Sequence, residues 1–414
     1  MREMKHSGIE WIGEIPEKWE VKRFNYIVKI REDMGLYNEG ERFLGLENIE
    51  SWSGRYIETE SKYSDKQADI YCKDDILFSK LRPYLAKSYY AKEDGFCTGE
   101  FLVIKDFCGD KKYLYYFFLS PNFIDIVNSS TYGTKMPRAN WDFIRNLKIP
   151  LPQHEEQTAI TAFLEAKCKQ IDSLIEIIEK TITELYDYKN QLAVWYTSKG
   201  LTKNSKNKPS SIDWIGEVPE HWEILPLFAI FKERKTKNRG MVEKNLLSLS
   251  YGNIVRKDIS TDTGLLPENF EGYNIIEQGD IVLRLTDLQN DHTSLRTGLS
   301  RERGIITSAY ITIYNFLDAN PDYLRYLLHA ADICKIFYNL GSGIRQNLTF
   351  EGLKKMQLVL PPKKEQDCIV AYLLKKYKEV DELMAIKQQK ITELKEYKKS
   401  LIYLYVTGKK EVPA

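Results

Sequence analysis

A repeat that relates the two halves of the chain constrains its fold more than any other feature of the sequence. The decamer WIGEIPEKWE at residues 11–20 returns as WIGEVPEHWE at residues 214–223. Further matches follow in the same order: DILFSKL with DIVLRLT, GFCTGEF with GIITSAY, YLYYF with YLRYL, PxxxEQ with PxxxEQ, and TELYxYK with TELKxYK. A tandem duplication of about half the chain therefore predicts two similar folded parts.

Length and composition agree with two globular domains. A chain of 414 residues exceeds one ordinary core, and 43% hydrophobic with 29% charged residues is typical of a globular protein. No apolar run approaches the roughly 20 residues of a membrane helix. The first residues, MREMKHSGIEW, lack the apolar segment of a secretory signal. The six cysteines form no CxxC pair, so we expect reduced thiols and a cytoplasmic location.

Each half begins with a lobe of mixed secondary structure, at residues 1–152 and 212–361. Short runs rich in β-forming residues, such as FLVIKDF and AYITIYNF, are bounded by Gly and Asp. Helical stretches at residues 112–127 and 321–340 lie between such runs. We therefore expect an α/β (α+β) lobe with a sheet and a few helices in each half.

Each half ends in a predicted long helix, at residues 153–199 and 362–408. Glutamates follow the proline at each start, where carboxylates favour the positive end of a helix. No Pro or Gly interrupts these segments before Gly200 and Gly408. An uninterrupted helix of this length spans roughly 60 Å, which is typical of a coiled coil. Two long surface helices, each lying on its own lobe, are the alternative.

A heptad pattern favours pairing of the two helices. Apolar residues recur at a and d positions, with Thr181 as the polar exception in the first helix and Lys387 and Lys390 as interruptions in the second. The predicted seam consists of Ile171, Leu174, Ile178, Leu185, Tyr188 and Leu192 in the first helix, and Val380, Leu383, Leu394, Tyr397 and Leu401 in the second.

The linker at residues 200–211 (GLTKNSKNKPSS) is short, polar and Lys-rich, so we expect it to turn the chain. The second helix would then return antiparallel to the first, with residues 409–414 as a tail. Two similar lobes would be separated by a two-helix coiled-coil spacer, related by an approximate two-fold axis and circular in plan. Such a spacer would act as a ruler between two similar surfaces.

The repeated decamers would mark the two corners of this arrangement. Four tryptophans are predicted to be apolar anchors that lock each helix end to the next lobe, with Pro16 and Pro219 stiffening the corner. A direct contact with a partner protein is the alternative for these side chains. The anchors are Trp11, Trp19, Trp214 and Trp222.

Two similar lobes related by a two-fold suit duplex DNA, which has two-folds of its own. The net charge of +1 does not indicate a nucleic-acid binder, but binding depends on where charges lie. Arg and Lys suit guanine edges and phosphates, and Gln and Asn suit adenine edges. Ordinary solvated charges are the alternative. The candidates in expected loops are Lys80, Arg82, Tyr84, Lys87, Lys135, Arg138, Lys235, Arg239, Arg284, Arg296, Arg301, Arg303, Arg345, Gln346 and Asn347.

The sequence gives little sign of catalysis. A GxxxxGK[ST] phosphate loop and an Asn-Pro-Pro-aromatic tetrapeptide are both absent, and the five histidines are isolated. Asp74-Asp75 could suggest the carboxylate pair of a nuclease, but the second copy has Gly279-Asp280 at this position. A turn before a strand explains both sequences. We expect no catalytic residue, no metal site and no cofactor in this chain. A nuclease with a hidden site in one lobe and a protein-binding scaffold remain the alternatives.

The duplicated decamers, DILFSKLRPYLAK, GTKMPR followed by LKIPLPQHEEQTAI, and LVLPPKKEQDCIVAYL resemble the specificity subunits of type I restriction–modification systems. The resemblance implies two target-recognition domains, each reading one half of an asymmetric bipartite site in double-stranded DNA. The helices would form the spacer and help dock two methyltransferase subunits, which carry S-adenosylmethionine. A separate motor subunit would use ATP and Mg for restriction. The base contacts vary between members, so the resemblance assigns none here.

Overall fold

The computed structural model describes residues 2–59, 67–133, 135–202, 206–258, 269–288, 295–340 and 347–413. The chain divides into two compact units. The first unit joins Met1–Glu179 with Gln388–Ala414, and the second unit is Lys180–Lys387. Across those described ranges, no helix is both long enough and apolar enough to cross a membrane.

The first unit contains a set of short strands and three short helices. The strands are β1 (Met4–His6), β2 (Glu14–Pro16), β3 (Glu20–Arg23), β4 (Val28–Ile30), β5 (Met34–Leu36), β6 (Phe43–Leu44), β7 (Gln67–Tyr71), β8 (Ile76–Ser79), β9 (Ser88–Tyr90), β10 (Gly95–Cys97), β11 (Phe101–Phe107) and β12 (Lys148–Leu151). The helices are α1 (Lys111–Phe118), α2 (Pro121–Ser129) and α3 (Trp141–Ile144), followed by the long helix α4 (His154–Lys199), which continues into the second unit.

The second unit repeats this content. Its strands are β13 (Asn207–Pro209), β14 (Glu217–Pro219), β15 (Glu223–Pro226), β16 (Phe231–Glu233), β17 (Leu247–Ser250), β18 (Asn253–Arg256), β19 (Asn274–Ile276), β20 (Ile281–Leu283), β21 (Thr297–Leu299), β22 (Gly304–Ile306), β23 (Ile311–Asn315) and β24 (Gln357–Leu360). Its helices are α5 (Pro321–Ile333), α6 (Ile336–Leu340) and α7 (Phe350–Leu353), followed by α8 (Lys363–Val406), which continues into the first unit.

The central sheets of the two units have the same strand order. In the first unit it is β4-β11-β8-β9, and in the second it is β16-β23-β20-β21. The neighbours are antiparallel, with Val103 opposite Leu77 in the first sheet and Ile313 opposite Ile281 in the second. The two-stranded ribbons β12-β3 and β24-β15 also correspond. The duplication predicted from sequence therefore includes the topology of the central sheet and of this ribbon, whereas the four-stranded sheet β5-β7-β10-β6 is replaced by the pairs β17-β18 and β19-β22 in the second unit.

Apolar burial explains why each unit folds around its sheet. In the first unit β8 is buried along its whole length, and Phe78 packs within 5.0 Å of Phe118, measured between ring centroids. In the second unit Ile281 and Ile313 belong to a continuous buried cluster with Tyr323 of α5. The predicted α/β (α+β) lobes and the two long helices are confirmed.

The two long helices run antiparallel within each unit. In the first unit the ring of Phe163 in α4 packs at a tilt against Tyr405 of α8, with centroids 4.5 Å apart, and Asp172 bonds to Lys398 at 2.7 Å. In the second unit Tyr196 Oη lies 3.1 Å from Tyr372 Oη, and Lys189 bonds to Asp381 at 2.6 Å. The sequence repeat places Asp381 where Asp172 stands and Lys398 where Lys189 stands, so both units use the same contact with the helices exchanged.

Of the eleven predicted seam residues, four are buried, three are half-buried and four are exposed. Ile171, Leu192, Val380 and Leu401 are buried, and Ile178, Leu185 and Leu394 are half-buried. The structure places Leu174, Tyr188, Leu383 and Tyr397 on the exposed side, which corrects the register predicted for them. The residue that follows each of them lies inward instead, as with buried Ile175 and Lys398. Residues spaced three or four apart lie on the same face of a helix, so the sequence spacing alone does not select one of them. The packing against the partner helix determines which residue is buried.

Both long helices end at a glycine in the left-handed region. Gly200 has φ +72° and Gly408 has φ +71°, which is the usual helix-ending conformation. A Cβ on Gly200 would lie 2.9 Å from a carboxylate oxygen of Glu365 and 3.1 Å from the ring of Trp222. One on Gly408 would clash with Pro16 and lie 3.0 Å from the ring of Trp19. Each glycine therefore ends its helix and leaves room for a tryptophan of the repeated decamer.

Candidate functional site

A loop with an unusual backbone follows β8 in the first unit. Arg82 has φ 50° and Ala86 has φ 47°, and they flank a 3-10 turn at Pro83–Leu85. Left-handed backbone is uncommon outside glycine, and the residue before a proline is restricted further. Such a conformation persists only where its surroundings hold it in place.

A second loop holds the first in place. Arg82 N–H donates to the carbonyl of Pro137 at 2.7 Å, and Ala139 N–H donates to the carbonyl of Lys80 at 2.7 Å. Leu81 and Arg138 also form an antiparallel bridge. We call residues 80–86 and 132–138, without residue 134, the first loop pair. It brings Lys80, Arg82 and Tyr84 beside Lys135 and Arg138.

The charges in and beside the first loop pair differ in whether the protein neutralises them. Arg138 donates to Glu100, which raises the pKa of Arg138. Lys87 Nζ donates to the carbonyl of Leu46 at 2.7 Å, and burial holds the pKa of Lys87 below its ordinary value. Three cations of the first loop pair have no carboxylate partner among the described residues. They are Lys80, Arg82 and Lys135.

Exposed aromatic and apolar side chains accompany these cations. Tyr84 is 44% exposed, Tyr132 is 63% exposed and Met136 is 59% exposed. Large apolar side chains usually stay in the core, so their exposure next to unneutralised cations indicates a binding surface.

The second unit builds the same frame after β20. Leu348 N–H donates to the carbonyl of Leu285 at 2.9 Å, as Ala139 does to Lys80 in the first unit. Asp287 has φ 55° and corresponds to Arg82 in the repeat. Its N–H donates to the Asn347 side-chain oxygen at 2.9 Å. We call residues 284–288 with 347–348 the second loop pair; the predicted site residues Arg345 and Gln346 lie outside the described residues.

Arg296 supports this loop from beneath. Its side chain has no exposed surface, and its guanidinium donates to the carbonyls of Arg284 at 2.9 Å and Thr286 at 3.0 Å. Its Nε also donates to Tyr338 Oη at 3.2 Å. Arg296 was predicted as a DNA contact, but a buried guanidinium that binds backbone carbonyls positions the loop instead. Burial of this kind is not visible in a sequence window.

The remaining candidate cations of the second unit are mostly paired. Arg301 donates to Asp322 at 2.9 Å and Arg303 donates to Glu277 at 3.0 Å. Lys235 bonds to Glu233 at 2.8 Å, which raises the pKa of Lys235. Arg239 is exposed and has no carboxylate partner among the described residues, while Arg284 is half-buried. Among the candidate cations that the structure describes, the second unit therefore offers less unneutralised charge than the first loop pair does.

In each unit the repeated decamer contacts the start of a long helix. Trp19 and Trp222 are wholly buried, and their indole N–H groups donate to Glu156 at 2.8 Å and Glu365 at 3.2 Å. Arg2 adds a second donor to Glu156, and His221 lies 2.8 Å from Glu365. Of the other two predicted anchors, half-buried Trp11 lies 5.9 Å from Phe117 and half-buried Trp214 packs on the core of the second unit.

The glutamine of each PxxxEQ motif has a structural role that sequence reasoning did not assign. Gln157 donates to the carbonyl of Pro152 at 2.8 Å and accepts from Asp110 N–H at 2.8 Å. Gln366 donates to the carbonyl of Pro361 at 2.8 Å and accepts from Asn320 N–H at 2.7 Å. Each glutamine therefore ties the start of a long helix to the start of α1 or α5. Its return in both halves was the available signal.

Two repeated tyrosines bind the ends of the long helices. Tyr113 Oη lies 3.0 Å from the carbonyl of Pro150 and 2.8 Å from that of Val406. Tyr323 Oη lies 3.1 Å from the carbonyls of Val359 and Thr197. Burial raises the pKa of both phenols well above the ordinary value, so they remain hydrogen-bond donors.

Within the described part of the chain, no group of three or more His, Cys, Asp or Glu side chains could hold a metal ion. The loop pairs offer cations, aromatic rings and amides on a rigid frame. That arrangement suits recognition of an anionic partner by charge and hydrogen bonds.

Residues 16–186 match the family described as the type I restriction modification DNA specificity domain. The chain is 26% identical over 428 residues to the putative type I restriction enzyme MjaX specificity subunit of Methanocaldococcus jannaschii, covering 96% of this chain and 95% of the relative. It is 27% identical over 317 residues to the MjaVIII specificity subunit of the same organism, covering 72% and 70%.

The fold has solved counterparts as well. A chain solved in work on the complex assembly and conformational transition of the type I R-M system superposes with a TM-score of 0.67 at 15% identity, over 95% of this chain and 98% of that one. That likeness concerns the fold alone. Together with the sequence relatives, the comparisons confirm the resemblance to type I restriction specificity subunits.

Proposed function

Because residues 16–186 match a type I restriction modification DNA specificity domain and the chain resembles specificity subunits along nearly all its length, we propose that it is the DNA-recognising subunit of such a system. Each unit reads one half of an asymmetric bipartite site in double-stranded DNA. The chain itself is a non-catalytic targeting subunit.

The observation that carries this proposal is that both units hold equivalent loops with the same backbone hydrogen bonds but present different side chains on them. Equivalent backbone bonds, Ala139 to Lys80 and Leu348 to Leu285, hold equivalent loops after equivalent strands. At the matched left-handed position the first unit has Arg82 and the second has Asp287. A loop backbone that is shared by the two units but carries opposite charges at one position suits two different half-sites, because the edges of the bases differ in donors and acceptors.

The two long helices are proposed to set the gap between the half-sites. Both α4 and α8 contribute residues to both units without a break. The repeated pairs Asp172–Lys398 and Lys189–Asp381 hold one antiparallel register in each unit. A spacer of constant register suits a ruler that separates two reading surfaces.

The helices are also proposed to dock two methyltransferase subunits. Their surfaces expose the large side chains of Trp195, Tyr188 and Tyr397, which are 60%, 47% and 56% exposed. Aromatic residues of this kind are enriched where proteins associate. Those partners would carry S-adenosylmethionine, and a motor subunit would carry ATP and Mg. This chain would recognise the target DNA sequence.

Selection of duplexes from a random pool, with the full chain and its modification subunit, tests the proposal. We expect two short preferred half-sites separated by a constant gap, and binding that weakens steeply as salt rises. Removing one heptad from α4 and the facing heptad from α8 should change the gap and keep both half-sites. Preferred bases that changed while the gap stayed constant would contradict the spacer assignment.

Replacing the lobe at residues 212–361 with the lobe of another specificity subunit provides the matched control. One half-site should change and the other should persist. The alternative functions give different results, because a scaffold would show no duplex binding at low salt and a nuclease would cut DNA without partners.

A further inference from the structure

We propose that Arg82 reads a guanine in the half-site recognised by the first unit. This inference rests on the proposed function, and it names one base contact within it. The side chain would meet the guanine edge in the major groove, where a guanidinium can bind the two acceptors O6 and N7 together.

Within the described ranges, no residue engages the guanidinium of Arg82. Arg138, the other arginine of the first loop pair, is neutralised by Glu100. Among the described residues, no acceptor bonds to the Arg82 side chain, and its Nε–H is buried without a partner. A buried donor without an acceptor costs stability, so the described residues leave the guanidinium with hydrogen-bonding capacity that an acceptor on a ligand could use.

The backbone of Arg82 is held firmly, whereas the described residues form no bond to its side chain. Its N–H donates to the carbonyl of Pro137 at 2.7 Å, and its carbonyl accepts from Leu85 N–H at 3.0 Å. These bonds maintain φ 50° directly before Pro83, a conformation that an L-residue adopts at a cost. A strained, well-anchored position with a free guanidinium is suited to pre-organised recognition.

The surroundings of Arg82 suit a phosphate-flanked base. Lys80 and Lys135 lie on the same loop pair without carboxylate partners among the described residues. They can contact phosphates and fix the position of the duplex, while Arg82 supplies the base contact. Asp287 stands at the matched position of the second unit. A carboxylate repels guanine acceptors, so the two half-sites should differ at the corresponding base pair.

Substitution at this position can remove the side chain without disturbing the loop. Glycine adopts φ 50° without strain, so Arg82→Gly should keep the loop and leave Tm unchanged or higher. Arg82→Lys keeps the charge but lacks the planar fork. Ala86→Gly is the matched control, because Ala86 shares the left-handed backbone in the same loop and its side chain is wholly buried.

The measurement is the base preference selected from a random duplex pool by the full chain with its modification subunit. Wild type should prefer guanine at one position of one half-site. Arg82→Gly should lose that preference by roughly 5- to 150-fold and keep the other positions. Arg82→Lys should retain affinity but lose most of the discrimination at that position, and Ala86→Gly should match wild type.

Two results would overturn the inference while leaving the proposed function intact. One is an Arg82→Gly variant with every base preference unchanged. The other is a variant whose binding weakens equally for all sequences, because that result assigns Arg82 to a phosphate. A wild-type complex with no base preference at all would instead refute the proposed function.

Discussion

Lys398 Nζ donates to both carboxylate oxygens of Asp172, at 2.8 and 2.7 Å, and the lysine side chain is only 8% exposed. This pair joins α8 to α4 in the first unit. The corresponding pair in the second unit, Lys189 with Asp381, is more open, with side chains 22% and 56% exposed. The same interaction therefore occurs twice in different degrees of burial.

Asp172→Asn should destabilise the first unit by about 1–2 kcal/mol, because it leaves a buried ammonium without its counter-charge. Asp381→Asn should cost less, about 0.5 kcal/mol, since solvent screens the more exposed pair. Urea unfolding combined with hydrogen exchange of α4 would measure both. Equal costs at the two sites would show that burial does not set the strength of this pair.

Gly408→Ala should destabilise the corner of the first unit by about 2–4 kcal/mol. Left-handed backbone costs about 1–2 kcal/mol in an L-residue, and the new methyl would also clash with Pro16 and crowd Trp19. Gly13→Ala is the matched control, because Gly13 has φ +72° and its added Cβ would meet no atom within 4 Å. Thermal unfolding should show the larger loss for Gly408→Ala, and equal losses would remove crowding as a cause.

Gln157→Leu should cost about 2–3 kcal/mol, because it leaves the N–H of Asp110 and the carbonyl of Pro152 buried without partners. Gln153→Leu, at an exposed position one turn earlier, should stay within about 0.5 kcal/mol of wild type. Urea unfolding compares the two variants. A cost at Gln153 as large as at Gln157 would contradict the tying role assigned to the motif.

His329 should make the second unit sensitive to acid. Burial, with Arg325 and Lys189 nearby, lowers the pKa of His329 to about 4 from its ordinary 6.5. The folded chain therefore holds the neutral ring, and stability present above pH 6.5 is lost as the pH falls toward 4. The loss should reach up to about 3 kcal/mol.

His329→Phe removes the titrating group while keeping a planar ring of similar size. The difference in unfolding free energy between wild type and variant should be nearly constant from pH 8 to 7. It should then move in favour of the variant between pH 6.5 and 4.5, as measured by urea unfolding. A difference that stayed constant over the whole range would exclude His329 as the sensitive group.

The duplication could be predicted from the sequence because its strongest matches are residues that each have a specific structural role. The recurring tryptophans are buried and donate to a glutamate near the start of a long helix. The recurring glutamines fix the start of each long helix, and the recurring tyrosines donate to a carbonyl at a helix end. The long helices were equally readable, since Pro and Gly are missing between defined ends. Local composition and spacing carry that information directly.

The candidate site was only partly readable. The sequence placed Lys80, Arg82 and Lys135 in loops, but it could not say that two loops distant in the chain share backbone hydrogen bonds. It also could not separate Arg296, whose buried guanidinium supports a loop, from Arg82, whose side chain receives no bond from the part of the chain that the structure describes. Charge is a property of a residue, whereas neutralisation depends on neighbours.

The sequence by itself determined that this chain has two similar α/β parts, two long helices and a repeated corner motif, because these follow from periodicity and from residues with narrow local preferences. The tertiary structure decided the register of the helix seam, the ion pairs and which cations remain without a carboxylate. Those features depend on side chains brought together from distant positions. The seam shows the difference most clearly, since a step of three or four residues is equally helical and only the partner helix selects Ile175 over Leu174.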